Sequence, residues 1–143
     1  MTETPVVDSE LATRLRLAVG RLARRIRLAT NDIPPLQFSA LATLDKHGPL
    51  RSGELAAREA VTAPTITRVL AALAERGLVT RQADPTDARS IRVSLAPAGV
   101  EALNRIRSER TALLGARIAR LTDDQRAALI AGLSALEALV EDD

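Results

Sequence analysis

Apolar residues recur at Leu11, Leu15, Ala18, Leu22, Ile26 and Ala29, in steps of three and four. That spacing places them on one helical face. Arg14, Arg21, Arg24, Arg25 and Arg27 decorate the remainder. Asp8 or Ser9 is the expected cap, which leaves residues 1–7 as a loose tail, and Asn31-Asp32 with Pro34-Pro35 stop the helix. A second helix is predicted from about Leu36 to His47, burying Phe38, Leu41, Ala42 and Leu44. Leu50 and Arg51 read as a short extended piece. Ser52 is the expected cap of a third helix, of about two turns, ending at Glu59. After a connection over 60–63, Thr62 is placed to cap a fourth helix that tolerates Pro64 in its first turn. Ile66, Val69, Leu70 and Leu73 form its buried stripe, and Gly77 closes it.

The period then changes from helical to alternating. Leu78 to Gln82 reads as a strand, residues 83–89 as a turn-rich tip, and Ile91 to Leu95 as a strand with one buried face. Pro97 starts a fifth helix that runs to about Arg120. Thr122 with Gln125 resembles a capping box. It opens a last helix carrying Leu129, Leu133, Leu136 and Val140, and the acidic end Glu141-Asp142-Asp143 is expected to fray.

This order predicts a mainly α fold with a small β-hairpin wing, in the α+β class. Two short helices, a tight connection and a strand–loop–strand make a winged helix-turn-helix lobe over about 36–96. The helices over about 8–31 and 97–141 form a separate arm. Its apolar stripes exceed what a small lobe can cover, so the arm is read as a homodimer interface through Leu11, Leu15, Leu129, Leu133, Leu136 and Val140. A two-fold dimer would set two such lobes about one DNA turn apart.

Composition narrows the function. The 143 residues suit one domain. Phe38 is the only aromatic and Lys46 the only lysine, so Leu and Ala dominate the core and arginine supplies nearly all the cations. The planar arginine fork suits phosphates and guanine edges. The formal net charge is only +2, so global charge argues for no particular partner. There is no cysteine, which excludes disulfides and thiolate sites. His47 is the single histidine and reads as a helix-end residue. No Ser-His-Asp set, phosphate-cradling glycine loop or metal cluster is present, so neither catalysis nor a cofactor is expected. Thr2-Glu3-Thr4-Pro5 lacks the form of a signal peptide, and no apolar run is long enough to span a membrane. A cytoplasmic protein without membrane attachment is expected.

The candidate chemistry lies in residues 50–95. A helix fits the major groove of double-stranded DNA. The start of the fourth helix offers Thr62, Ala63, Pro64, Thr65, Thr67 and Arg68 to it. Arg89 at the hairpin tip suits a minor groove, where negative potential is high. Asp84 and Asp87 are placed to position that wing. Arg81 and Arg92 on the strands, with Arg51 and Ser52 before the third helix, are placed to meet phosphates.

Residues 50–99 resemble the multiple-antibiotic-resistance regulator (MarR) family. The resemblance rests on Leu55-Ala56, Thr65-Ile66-Thr67-Arg68-Val69-Leu70, Leu73 and Glu75-Arg76-Gly77-Leu78-Val79 with Arg81. It continues through Asp84-Pro85-Thr86-Asp87-Ala88-Arg89, Val93, Leu95 and Gly99. It implies a homodimer with interlocked first and last helices, and binding to a palindromic operator, usually as a repressor. It also implies a small-molecule effector, aromatic or anionic, held between the arm and the DNA-binding lobe. By position, residues 63–68 open the recognition helix and Arg89 is the wing arginine. The competing reading is a winged-helix interaction or dimerisation module with weak DNA binding.

Overall fold

The computed structural model describes residues 6–30 and 33–141. Its elements are α1 (Val6–Ala29), α2 (Pro35–His47), β1 (Leu50–Arg51), α3 (Ser52–Arg58), α4 (Ala63–Glu75), β2 (Val79–Ala83), β3 (Ile91–Leu95), α5 (Pro97–Ile118) and α6 (Asp123–Ala138). The three strands form one antiparallel sheet in the order β1-β3-β2. Leu50 faces Val93 across one seam, and Arg81 faces Val93 across the other. Among the described residues no helix is long and apolar enough to cross a membrane.

The core lies where α2, α3, α4, the sheet and the first half of α5 meet. Leu41, Leu44, Leu55, Ile66, Leu73, Val93, Leu103 and Ile106 are its largest fully buried side chains. Ile66, Leu70 and Leu73 recur on one side of α4, and that side is buried as their spacing predicts. Gly77 takes the left-handed φ of 72° that closes α4. The Leu78 amide then donates back to the Leu73 carbonyl at 2.9 Å. The Leu78 carbonyl accepts from Ala96 at 3.0 Å, so it joins the end of α4 to the start of α5.

Polar ties set the helices around this core. Ser39 and Thr43 on α2 both donate to the Glu59 carboxylate after α3. Arg107 on α5 donates to Asp45 on α2 at 2.9 Å. Arg110 on α5 donates its Nε–H to Thr30 at 3.2 Å and lies 4.0 Å from the Phe38 ring centre, a cation–π contact.

Several boundaries differ from those the sequence predicts. Helix α1 begins at Val6, so Asp8 lies inside its first turn and Ser9 already accepts from Thr13. Asp8 therefore acts as a charge complementing the helix dipole and does not cap the helix. Ser52 is the first residue of α3 and makes no capping bond, because Arg51 holds the cap position. Strand β2 is shifted by one residue, since Leu78 is used in the turn after α4. Ile91 is 55% exposed, because it stands at the hairpin-tip end of β3, before the strand enters the core at Val93. The expected Asn31-Asp32 stop, tail residues 1–5 and the end at Asp142-Asp143 lie outside the described residues.

Thr62 caps α4, Pro97 opens α5, and Thr122 with Gln125 forms a reciprocal capping box on α6. Helix α6 nevertheless buries no residue in the single chain.

Candidate nucleic-acid interface

The turn between α3 and α4 sets the direction of α4. Ala60 adopts a left-handed φ of 53° there. Its amide donates to Ala57, and the Val61 amide to Ala56 at 3.0 Å. The chain reverses within this short connection, and α4 leaves it with its first turn exposed.

The Thr62 hydroxyl accepts from the Thr65 amide, and its oxygen lies 2.9 Å from the Thr65 hydroxyl. The Thr67 hydroxyl donates to the Ala63 carbonyl at 2.9 Å. Since Ile66, Leu70 and Leu73 point inward, Ala63, Pro64, Thr67, Arg68 and Ala71 are left on the exposed side. Arg68 makes no ion pair among the described residues. Thr65 is half-buried and already engaged locally.

The wing is built on Asp84. One carboxylate oxygen accepts from the Arg51 Nε–H at 2.8 Å and the Arg51 Nη2–H at 2.7 Å. The Arg92 Nε lies 3.4 Å from the same oxygen. The other oxygen accepts from the Thr86 amide at 2.9 Å and the Thr86 hydroxyl at 2.8 Å. Arg51 and Arg92 are directly opposed in the β1–β3 ladder, where like charges repel. Asp84 offsets that repulsion. The Thr86 bonds, then Arg51, hold its carboxyl well below the usual carboxylate range.

Asp87 shapes the tip. Its carboxylate accepts from the Arg89 amide at 3.0 Å, and its carbonyl from the Ser90 amide at 3.0 Å. Asp87 thus fixes the backbone beneath Arg89. The Arg89 side chain is exposed and makes no ion pair among the described residues. Ser52, Thr67 and Arg81 rim a hollow of about 150 Å³ between α4 and the sheet, floored by Leu70, Ile91 and Val93. Thr67, Arg81 and Ser52 are therefore brought together, while Arg51 is drawn to Asp84 at the base of the wing.

The roles of Thr86 and Arg92 around Asp84 were not evident from the residues alone. Nor was a cleft of about 490 Å³ where α1, α2 and α5 meet, lined by Arg24, Arg27, Arg110, Ile33 and Pro34. Burial, with Arg27 beside it, lowers the Arg110 guanidinium from its ordinary value. No periodic signal links residues so far apart in the chain.

Residues 33–91 match the model of the MarR family. A Mycobacterium tuberculosis protein named as an HTH-type transcriptional regulator is 39% identical over 137 residues, 94% of this chain and 96% of its own length. The chain belongs to the MarR family. It is a DNA-binding transcriptional regulator with a winged helix-turn-helix fold. A solved structure of a Pseudomonas aeruginosa transcriptional regulator superposes with a TM-score of 0.84 at 32% identity, over 98% of this chain and 100% of that one. A more distant relative, Bacillus subtilis MdtR, is named as an HTH-type transcriptional repressor. It is 25% identical over 122 residues, covering 81% of this chain and 79% of MdtR.

Proposed function

We propose that the protein is a repressor that binds a palindromic operator as a homodimer and leaves it when a small anionic molecule is bound. The observation that carries the dimer is the apolar groove between α1 and α6. It has a volume of about 610 Å³ and is walled by Leu15, Val19, Leu136, Leu139 and Val140. Leu11, Leu129 and Leu133 are also exposed. A contiguous apolar surface of this kind marks an association site. Helix α6 buries no residue fully in one chain, and a second copy supplies the missing cover.

In this reading α4 enters the major groove, with Thr62, Ala63, Pro64, Thr65, Thr67 and Arg68 at its leading end. Arg89 enters the flanking minor groove. Arg81 and Ser52 meet the phosphates between them, and Arg51 supports the wing through Asp84 while keeping 43% of its side chain exposed. The name of MdtR supports repression as the outcome.

The cleft at Arg24, Arg27 and Arg110 supports an anionic effector, since three cations line it together with Ile33 and Pro34. It joins the arm to the DNA-binding lobe. A ligand that favours one arrangement of arm and lobe shifts the population toward that arrangement.

Analytical ultracentrifugation of the protein, alone and with duplex from its upstream region, tests this reading. A dimer that binds one duplex per two chains, and is displaced by a lipophilic carboxylate such as benzoate, supports it. A monomer with no preference for its own upstream DNA contradicts it and favours an interaction module.

A further inference from the structure

We infer that α4 recognises its operator half-site through the C5-methyl groups of thymine, with the γ-methyl of Thr67 as the central contact and Arg68 on an adjacent guanine. The inference rests on the operator-binding reading and goes beyond it by naming the base chemistry.

The outward stripe of α4 is Pro64, Thr67, Arg68 and Ala71, all exposed and spaced by three and four. Its hydrogen-bonding capacity is small. Pro64 has no amide proton. Ala63 and Ala71 contribute only methyl groups. Thr67 has a hydroxyl, but its proton is committed to the Ala63 carbonyl at 2.9 Å. Thr65 is half-buried, and its hydroxyl is paired with Thr62 at 2.9 Å. Arg68 alone on this stripe keeps free donors among the described residues.

In the major groove each base pair presents a distinct set of donors and acceptors, and thymine adds a methyl. A stripe rich in methyl and methylene groups matches that methyl. Beyond the spare lone pairs of the Thr67 hydroxyl, its side chains offer no acceptor to adenine N6 or cytosine N4. The single guanidinium suits the O6 and N7 acceptors of guanine. The apolar character continues beside Thr67 into the hollow floored by Leu70, Ile91 and Val93.

The test begins by selecting duplexes from a random pool with the full-length protein. The selected duplex is then compared with versions in which each half-site thymine is replaced by deoxyuridine. That change removes the methyl and keeps every hydrogen-bonding group. Affinity is expected to fall about fourfold for each buried methyl. Two variants locate the contact. Thr67→Val keeps both the affinity and the deoxyuridine penalty. Thr67→Ser binds several-fold more weakly and loses sensitivity to deoxyuridine at one position of each half-site. Equal binding of thymine and deoxyuridine duplexes overturns the inference. So does retained binding by Thr67→Ser with loss in Thr67→Val, which would make the hydroxyl the recognising group. Failure to select any duplex overturns the operator reading itself, and the inference falls with it.

Discussion

Arg51 and Asp84 are 33 residues apart in sequence, yet two guanidinium nitrogens of Arg51 converge on one Asp84 oxygen at 2.8 and 2.7 Å. The Asp84 side chain is fully buried while Arg51 remains partly exposed. The pair fastens the hairpin to the strand that leads into α3. Asp84 also bonds Thr86, so one carboxylate sets both the base of the wing and the start of its tip. The orientation of Arg89 relative to α4 therefore depends on a residue that need not touch DNA.

Replacing Asp84 by alanine leaves Arg51 and Arg92 opposed without a counter-charge and frees the Thr86 turn. Affinity for the operator is expected to fall roughly tenfold. Binding to scrambled duplex should hold or rise, because a negative charge is lost near the phosphates. Fluorescence anisotropy with the two duplexes measures both. An equal loss on both sequences would contradict a positioning role.

The same carboxylate predicts a pH dependence. Its pKa in the folded protein is depressed by the Thr86 bonds and by Arg51. Its contribution to stability is then complete above the unfolded value, about pH 4, and is lost as pH falls below that toward the depressed folded value. The melting temperature of the native protein should therefore drop more steeply below pH 4 than that of Asp84→Asn. Calorimetry at pH 7, 4 and 3 checks this. Parallel curves for the two proteins would assign the acid sensitivity to other carboxylates.

A methyl group at Gly99 would lie 2.1 Å from the Leu78 carbonyl oxygen. That oxygen already accepts from Ala96, so it cannot withdraw without breaking the junction between α4 and α5. Gly99→Ala is expected to cost about 1–3 kcal/mol or more, the range for overpacking. Denaturant unfolding gives the value. A change within about 0.5 kcal/mol, as at ordinary surface sites, would show that the helices separate freely there.

Leu139 is 70% exposed in the single chain and borders the groove between α1 and α6. A glutamate there costs an isolated chain little but places a charge inside the proposed dimer interface. Leu139→Glu should weaken self-association at least tenfold while leaving the helical circular dichroism unchanged. Sedimentation at several concentrations separates the two effects. An unaltered dimer would move the interface away from this groove.

Much of the fold was legible because its signals are local. The stripe Ile66, Leu70 and Leu73, the Thr62 cap, the Gly77 stop and the Thr122–Gln125 box each involve residues within one or two helical turns, and each is found where expected. The start of α1 was misread because Asp8 has the chemistry of a cap and of a first-turn charge alike. Ser52 was misread for a similar reason, since a good capping residue is also tolerated one position later. Ile91 follows the alternation of a buried strand face, but the strand enters the core only at Val93. The candidate interface was legible as a set of exposed arginines and threonines near α4 and the wing. Its internal wiring was not. The Arg51–Asp84 pair and the Arg110–Thr30 contact join residues 33 and 80 positions apart, and such contacts leave no periodic trace.

The central claim is sequence-specific binding of duplex DNA through α4 and the wing. Its most direct test is an anisotropy titration of the protein against duplex from its own upstream region, with scrambled duplex as competitor, at two salt concentrations. The account predicts tight binding that resists the competitor and weakens steeply with salt, as release of counterions from several phosphate contacts requires. Equal affinity for both sequences, or no binding to either by the folded protein, would contradict it.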